Sequence, residues 1–231
     1  MITKMIPKII HQTGPEKKFW HPIWKECSQS WKDQFPDFEY KFWTDEDLKN
    51  LVKEKYPEYL DLYDNFSHHI MRIDFARFCI LHSYGGIYVD LDFYCYKNFY
   101  NLLKRDLYIV QSWEEWNEKV QNSLIISTPN HRFLEKCMLY SSFTYKNLNP
   151  HQSSLKDYIL ECCGPKMVSK ILDSSVKFLP KETFNPVVKH QFNWGNVGEV
   201  KYQNALKDFK NFTKEEKNIF TRHFLTGKWA N

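Results

Sequence analysis

The stretch Tyr84–Asp92, YGGIYVDLD, decides how the chain is read. Only 7 glycines occur in 231 residues, yet two of them stand together here, followed at once by an apolar run that closes on Asp90 and Asp92. Adjacent glycines suit the end of a helix, where the backbone turns left-handed without a Cβ penalty. The run over 87–91 then predicts a strand. Side chains at i and i+2 of a strand project to the same side, so the spacing predicts that both carboxylates face one point at the strand's C-terminal end. That end is where open α/β sheets bind ligands. Two hard oxygen donors there suit Mg²⁺ or Mn²⁺, which take one or two carboxylates and complete their shell with water and substrate phosphates.

Working upstream, the residues over 67–84 predict a helix capped by Ser67 and apolar almost all round, hence buried on several sides. It nevertheless carries Arg72, Asp74 and Arg77. Charges in such a setting are costly unless they are paired or used. Asp74 and Arg77, three residues apart, share a helix face.

Farther out, residues 6–10 predict a buried strand, 19–31 an amphipathic helix and 38–43 a second strand, with Thr44 capping the next helix. Beyond Asp92 the expectations are strands over 107–111, 123–127 and 176–179. A helix is expected over 131–142, a polar loop over 145–154, and a break at Gly164-Pro165 before a helix ending near Leu172. Residues 185–198 read as loop, and Thr213 opens a short final helix. Strands alternating with helices predict an α/β sheet with helical crossovers, and the chain reads as one domain over 1–231.

Composition narrows the function. With 42% hydrophobic and 17% aromatic residues the chain builds a core. A net charge of +4, spread over 32 basic and 28 acidic residues, argues against nucleic acid and leaves room for a small anionic ligand. The six cysteines form no CxxC pair, which predicts free thiols in a reducing compartment. The expectation is a cytoplasmic protein, with no signal or membrane-spanning segment. Trp20, Trp24 and Trp31, interleaved with Lys17, Lys18, Lys25 and Lys32, read as a core-facing helix with a solvated lysine side, or as a peripheral contact with a membrane that holds a lipid-linked acceptor. No G-x-G-x-x-G or Walker-type loop is present, which disfavours dinucleotide oxidoreductases and P-loop NTPases.

The block R-x-D-x-x-R followed by Y-G-G-I-Y-V-D-L-D, from Arg72 to Asp92, resembles the DXD-containing sugar-binding region of glycosyltransferase family 32. That family includes initiation-specific α-1,6-mannosyltransferases of fungi and capsular polysaccharide transferases of bacteria, and is distantly similar to the glucosylating toxins of clostridia. Further landmarks are IPKIIHQT at the first strand, Trp43, NSLIISTP from Asn122, Gly164-Pro165, and His223 followed by Gly227-Lys228-Trp229. The resemblance implies a GT-A-like, Rossmann-type sheet with helical elaborations, and a metal-dependent retaining transfer of a hexose. The donor would be a UDP- or GDP-linked nucleotide sugar, and the acceptor a saccharide, lipid or glycoprotein. It implies that Asp92 binds Mn²⁺ or Mg²⁺ with Asp90 beside it and His223 as third ligand. Asp74 and Arg77 would hold the donor's hydroxyls and diphosphate, with His11, Gln12, Arg72, Tyr88 and Asn122 around the donor. Lys228 on a phosphate is an inference from its charge. Two alternatives stay open. One is a metal phosphohydrolase or nucleotidyltransferase recruiting Asp106, Glu114 or Glu115; the other is a non-catalytic carbohydrate-binding protein on the same fold.

Overall fold

The computed structural model describes residues 5–20, 22–113, 118–149, 154–186 and 218–224. The helix expected from Thr213, most of the loop over 185–198, and Lys228 lie outside the described residues.

Among the described residues, eight strands form two sheets. The larger has the order β2 (Glu39–Trp43), β1 (Ile9–Thr13), β3 (Gly86–Val89), β6 (Val120–Ser127), β5 (Leu107–Gln111), β7 (Lys177–Leu179). β1 runs parallel to β2 and β3, β6 is antiparallel to β3 and β5, and β7 is parallel to β5. The α/β expectation holds, with a mixed sheet. A second sheet pairs β4 (Phe93–Cys95) with β8 (Thr221–His223).

The period-2 alternation of β3 divides the core. Tyr88 packs with the helices on one face: α2 (Asp45–Lys55), α3 (Leu60–Asn65), α4 (His69–Tyr84), α5 (Arg132–Asn147), α6 (Leu155–Cys162) and α7 (Pro165–Lys170). Ile87 and Val89 pack on the other face against α1 (Pro22–Gln34) and the small sheet. Helix α1 begins with proline, whose fixed φ suits a first helical position, and buries Ile23, Cys27 and Trp31. It also holds β4: Trp31 Nε1 donates to the Phe93 carbonyl at 2.9 Å, and Ser30 Oγ accepts the Cys95 amide at 2.9 Å. Helix α2 starts in a capping box, Thr44 and Asp47 each satisfying the other's backbone amide. A four-residue helix, α8 (Lys181–Phe184), follows β7.

Several expectations shift. Helix α4 starts at His69 with His68 at its N-cap, so Ser67 does not cap it. Strand β3 ends at Val89, two residues early, because residues 90–93 form a turn closed by the Phe93 amide on the Asp90 carbonyl at 3.1 Å. Strand β6 begins at Val120 and takes in Asn122; helix α5 extends to Asn147. Helix α6 and the β4–β8 sheet had no counterpart in the sequence reading. All six cysteines are free and buried. Among the described residues no helix is long and apolar enough to cross a membrane.

Candidate functional site

The glycine pair places the site. Gly85 stops α4, its amide on the Leu81 carbonyl at 2.8 Å with φ +64°, and Gly86 enters β3 at φ +97°. Four residues on, the Asp90 amide still pairs with the Ser123 carbonyl at 2.9 Å before the chain turns. The i/i+2 relation therefore holds for Tyr88 and Asp90, whose hydroxyl and Oδ1 are 3.1 Å apart. Asp92 reaches the same place by the turn.

Strand β8 supplies the third group. Its register sets His223 opposite Phe93, with the rings stacked at 4.5 Å and 20°. The imidazole Nε2 lies 2.9 Å from Asp92 Oδ1, and the Phe224 amide donates to the Asp92 carbonyl at 2.8 Å. Asp90, Asp92 and His223 bring one ligand atom each within 4.8 Å of one another. Burial disfavours charge on His223, but Asp92 and then Asp90 outweigh it and raise its pKa above the ordinary histidine value. The opposite ring nitrogen, Nδ1, is buried without a hydrogen-bond partner. Two carboxylates and an imidazole converging on one point form a donor set that fits a divalent cation, with the His223 proton displaced on binding.

Behind this cluster Arg77 ties three elements together. Its guanidinium meets Asp74 Oδ1 at 2.7 Å, Asp90 Oδ1 at 3.5 Å and the Asn122 carbonyl at 2.5 Å, and lies 4.8 Å over the Tyr88 ring. Asn122 Nδ2 donates to Asp74 at 3.0 Å and reaches the Cys163 carbonyl at 3.5 Å. Thr13 Oγ1 lies 3.0 Å from the Tyr88 hydroxyl. Burial pushes the Asp74 carboxyl up to about 6 against the pull of Arg77, and burial likewise raises Asp90. Side-chain exposure grades the site. Arg77 keeps 3%, Asp74 7% and Asp90 28%, so Asp90 stands at the mouth and the Asp74–Arg77 pair at the floor.

The remaining candidates divide. Arg72 points elsewhere: its guanidinium donates to the carbonyls of Tyr63, Asp64 and Phe66 at the end of α3. His11 is fully buried, with Nε2 on the Gly85 carbonyl at 2.9 Å and Nδ1 accepting from Trp43 Nε1 at 3.2 Å. Gln12 is fully buried too, and turns its amide onto the backbone of Asp90. Asp106 accepts the Thr128 amide through its carbonyl, at the opposite end of β6 from Asn122. Glu114, Glu115 and Lys228 lie outside the described residues. Thr13 and the Cys163 carbonyl were not among the expected site residues; their contacts are 75 and 41 residues away in the chain.

Comparison with known proteins converges on this region. Residues 22–114 match the family model of the glycosyltransferase sugar-binding region containing the DXD motif, which bears out the resemblance read from Arg72–Asp92. A mannosyl phosphorylinositol ceramide synthase of Saccharomyces cerevisiae is 37% identical over 135 residues, 58% of this chain and 34% of that protein. An initiation-specific alpha-1,6-mannosyltransferase of Candida albicans is 30% identical over 96 residues, 39% of this chain and 25% of that protein. The chain spans about a third of the length of the first curated relatives it matches, 34% and 37%. Among solved structures, the ligand-free glycosyltransferase domain of the YGT toxin superposes with a TM-score of 0.53 over 92% of this chain and 91% of that one, at 11% identity. At that identity the likeness is one of fold, the GT-A type.

Proposed function

We propose that this chain is a metal-dependent, retaining glycosyltransferase that moves a hexose from a UDP- or GDP-linked nucleotide sugar to a saccharide or glycoconjugate acceptor. The observation that carries the reading is the convergence of Asp90, Asp92 and His223 on one point directly in front of the buried Asp74–Arg77 pair. The matched relatives are named as mannosyltransferases and as a mannosyl phosphorylinositol ceramide synthase, which favours mannose as the hexose and an inositol-containing lipid as acceptor. A lipid acceptor would bring the chain to a membrane surface, and cytoplasmic residence belongs to the proposal.

Cleavage of the anomeric bond releases a nucleoside diphosphate whose growing negative charge must be met in the transition state, each ~1.4 kcal/mol of differential stabilisation giving tenfold in rate. Asp90, Asp92 and His223 would hold Mn²⁺ or Mg²⁺, which when bound would supply that stabilisation as a Lewis acid. The protein's own groups do the rest. Arg77, charged at every accessible pH, opposes the effect of burial on Asp90 from the floor and adds positive potential on the diphosphate side. Asp74, fixed by Arg77 and Asn122, accepts from hydroxyls of the donor sugar. Tyr88 orients Asp90 through its hydroxyl and walls the pocket.

The test is thermal stabilisation by a panel of nucleoside diphosphates and nucleotide sugars, with and without Mn²⁺. A ligand at 100 times its Kd adds about 2.7 kcal/mol, a shift of several degrees. We expect a shift that needs both nucleotide and metal, and that Asp92→Asn removes. If no nucleotide raises the melting temperature with Mn²⁺ present, the reading fails.

A further inference from the structure

Gln12 belongs to a part-buried chain of hydrogen bonds that ends on the acid turn. Its Nε2 donates to the Asp90 carbonyl at 3.2 Å, and its Oε1 accepts the Tyr40 hydroxyl at 2.6 Å. Tyr40 in turn lies 2.7 Å from Ser28 Oγ. The Asp90 carbonyl fixes every direction in this chain. A carbonyl only accepts, so the Gln12 amide must present nitrogen to it and oxygen to Tyr40; Tyr40 must then donate to Gln12, and Ser28 must donate to Tyr40. Burial keeps the Tyr40 phenol protonated, with its pKa pushed up to about 12. Bonds aligned donor to acceptor in this way polarise one another.

The chain joins four elements: Ser28 on α1, Tyr40 on β2, Gln12 on β1 and the turn after β3. The register makes this possible, since Ile10 pairs with Tyr40 and Gln12 with Phe42, so Tyr40 and Gln12 project from the same face of the sheet. At its end the Asp90 carbonyl accepts twice, from Gln12 and from the Phe93 amide that closes the turn. The Asp90 amide is already held by Ser123. Both backbone polar groups of Asp90 are thereby fixed.

We propose that Tyr40 and Gln12 are positioning residues that clamp the turn carrying Asp90 and Asp92, holding the two carboxylates at the separation a divalent cation needs. The proposal rests on the reading of Asp90, Asp92 and His223 as a cation site. Tyr40 acts on the turn through the Gln12 amide. Groups that orient metal ligands in this indirect way change metal affinity by about tenfold or more when removed.

The experiment titrates MnCl₂ into the full chain and reads free Mn²⁺ by its paramagnetic resonance signal, with the metal-free melting temperature as a fold control. Four proteins are compared: wild type, Tyr40→Phe, Gln12→Leu and the double variant. Tyr40→Phe deletes one hydroxyl and keeps the ring. It should leave the metal-free melt within a few degrees and raise the Mn²⁺ concentration for half-occupancy about tenfold. In the Gln12→Leu background the same substitution should change Mn²⁺ affinity little, because the link to the turn is already cut; a merely structural tyrosine would shift both backgrounds alike. Equal Mn²⁺ affinity in wild type and Tyr40→Phe overturns the clamp while leaving the cation site standing. Absence of Mn²⁺ binding by the wild type overturns the cation site, and the clamp with it.

Discussion

The imidazole of His11 is held on both nitrogens, and its tautomer can be assigned. Trp43 Nε1 is only a donor, so Nδ1 of His11 accepts, and Nε2 carries the proton that goes to the Gly85 carbonyl. A second proton has nowhere to go. Burial holds the pKa down to about 4, with Lys41 adding to the effect against the pull of the Gly85 carbonyl. The folded state thus stays neutral at a pH where the unfolded chain, with a pKa near 6.5, takes up a proton. His11 stabilises the fold fully above about pH 6.5, and that contribution is lost as pH falls through about 4, roughly 3 kcal/mol in all. Urea unfolding from pH 7 to pH 4 should show this acid limb, and His11→Gln, whose amide offers one acceptor and one donor, should flatten it. An unchanged slope in His11→Gln would remove the assignment. The family resemblance set His11 around the donor. Its real partners lie 74 and 32 residues away, beyond the reach of local pattern.

At the scale of elements, the junction of α4 and β3 depends on two glycines for different reasons. A Cβ on Gly85 would meet the Pro129 ring at 2.7 Å, and one on Gly86 would meet the Ile9 carbonyl at 2.5 Å, both at positive φ. Gly86→Ala should therefore destabilise by about 2 kcal/mol or more, since neither the left-handed backbone nor a neighbouring strand's carbonyl yields cheaply. Gly14→Ala is the control: the one close approach of its Cβ would be to the end of the Leu91 side chain, without a positive φ, and it should cost less. Denaturant midpoints for the two variants decide it, and equal losses would refute the argument. This junction was legible because helix-stop glycines and an apolar run are local signals. The end of β3 was not, since the turn at 90–93 needs the Gln12 amide and the Phe93 amide on a single carbonyl. Strands β4 and β8 stayed hidden because three residues carry no periodicity, and His223 meets Asp92 across 131 residues of sequence. The sequence named all three cation-binding candidates from chemistry and resemblance; the small sheet that brings them together is a product of folding.

At the scale of the whole molecule, Arg77 on α4 touches both the acid turn and β6. With only 3% of its side chain exposed, the guanidinium has no water to fall back on, and Asp74 has little. The sheet and the helical layer are therefore joined at the site through a buried charge. This arrangement is worth keeping for geometry more than for stability, because buried ion pairs gain little over apolar packing. Removing one partner is a different matter. Arg77→Leu leaves Asp74 buried and uncompensated, a loss of about 3–5 kcal/mol in metal-free unfolding. Adding Asp74→Asn to Arg77→Leu should restore part of that loss, since the amide removes the stranded charge while still able to bond Asn122. Cation binding should stay weakened in the double variant, because Asp90 has lost the guanidinium that faces it. Stability and site geometry then separate: the second substitution recovers the first and not the second. If the double variant unfolds as easily as Arg77→Leu alone, the uncompensated carboxylate is not the cause, and lost packing across the two layers takes its place.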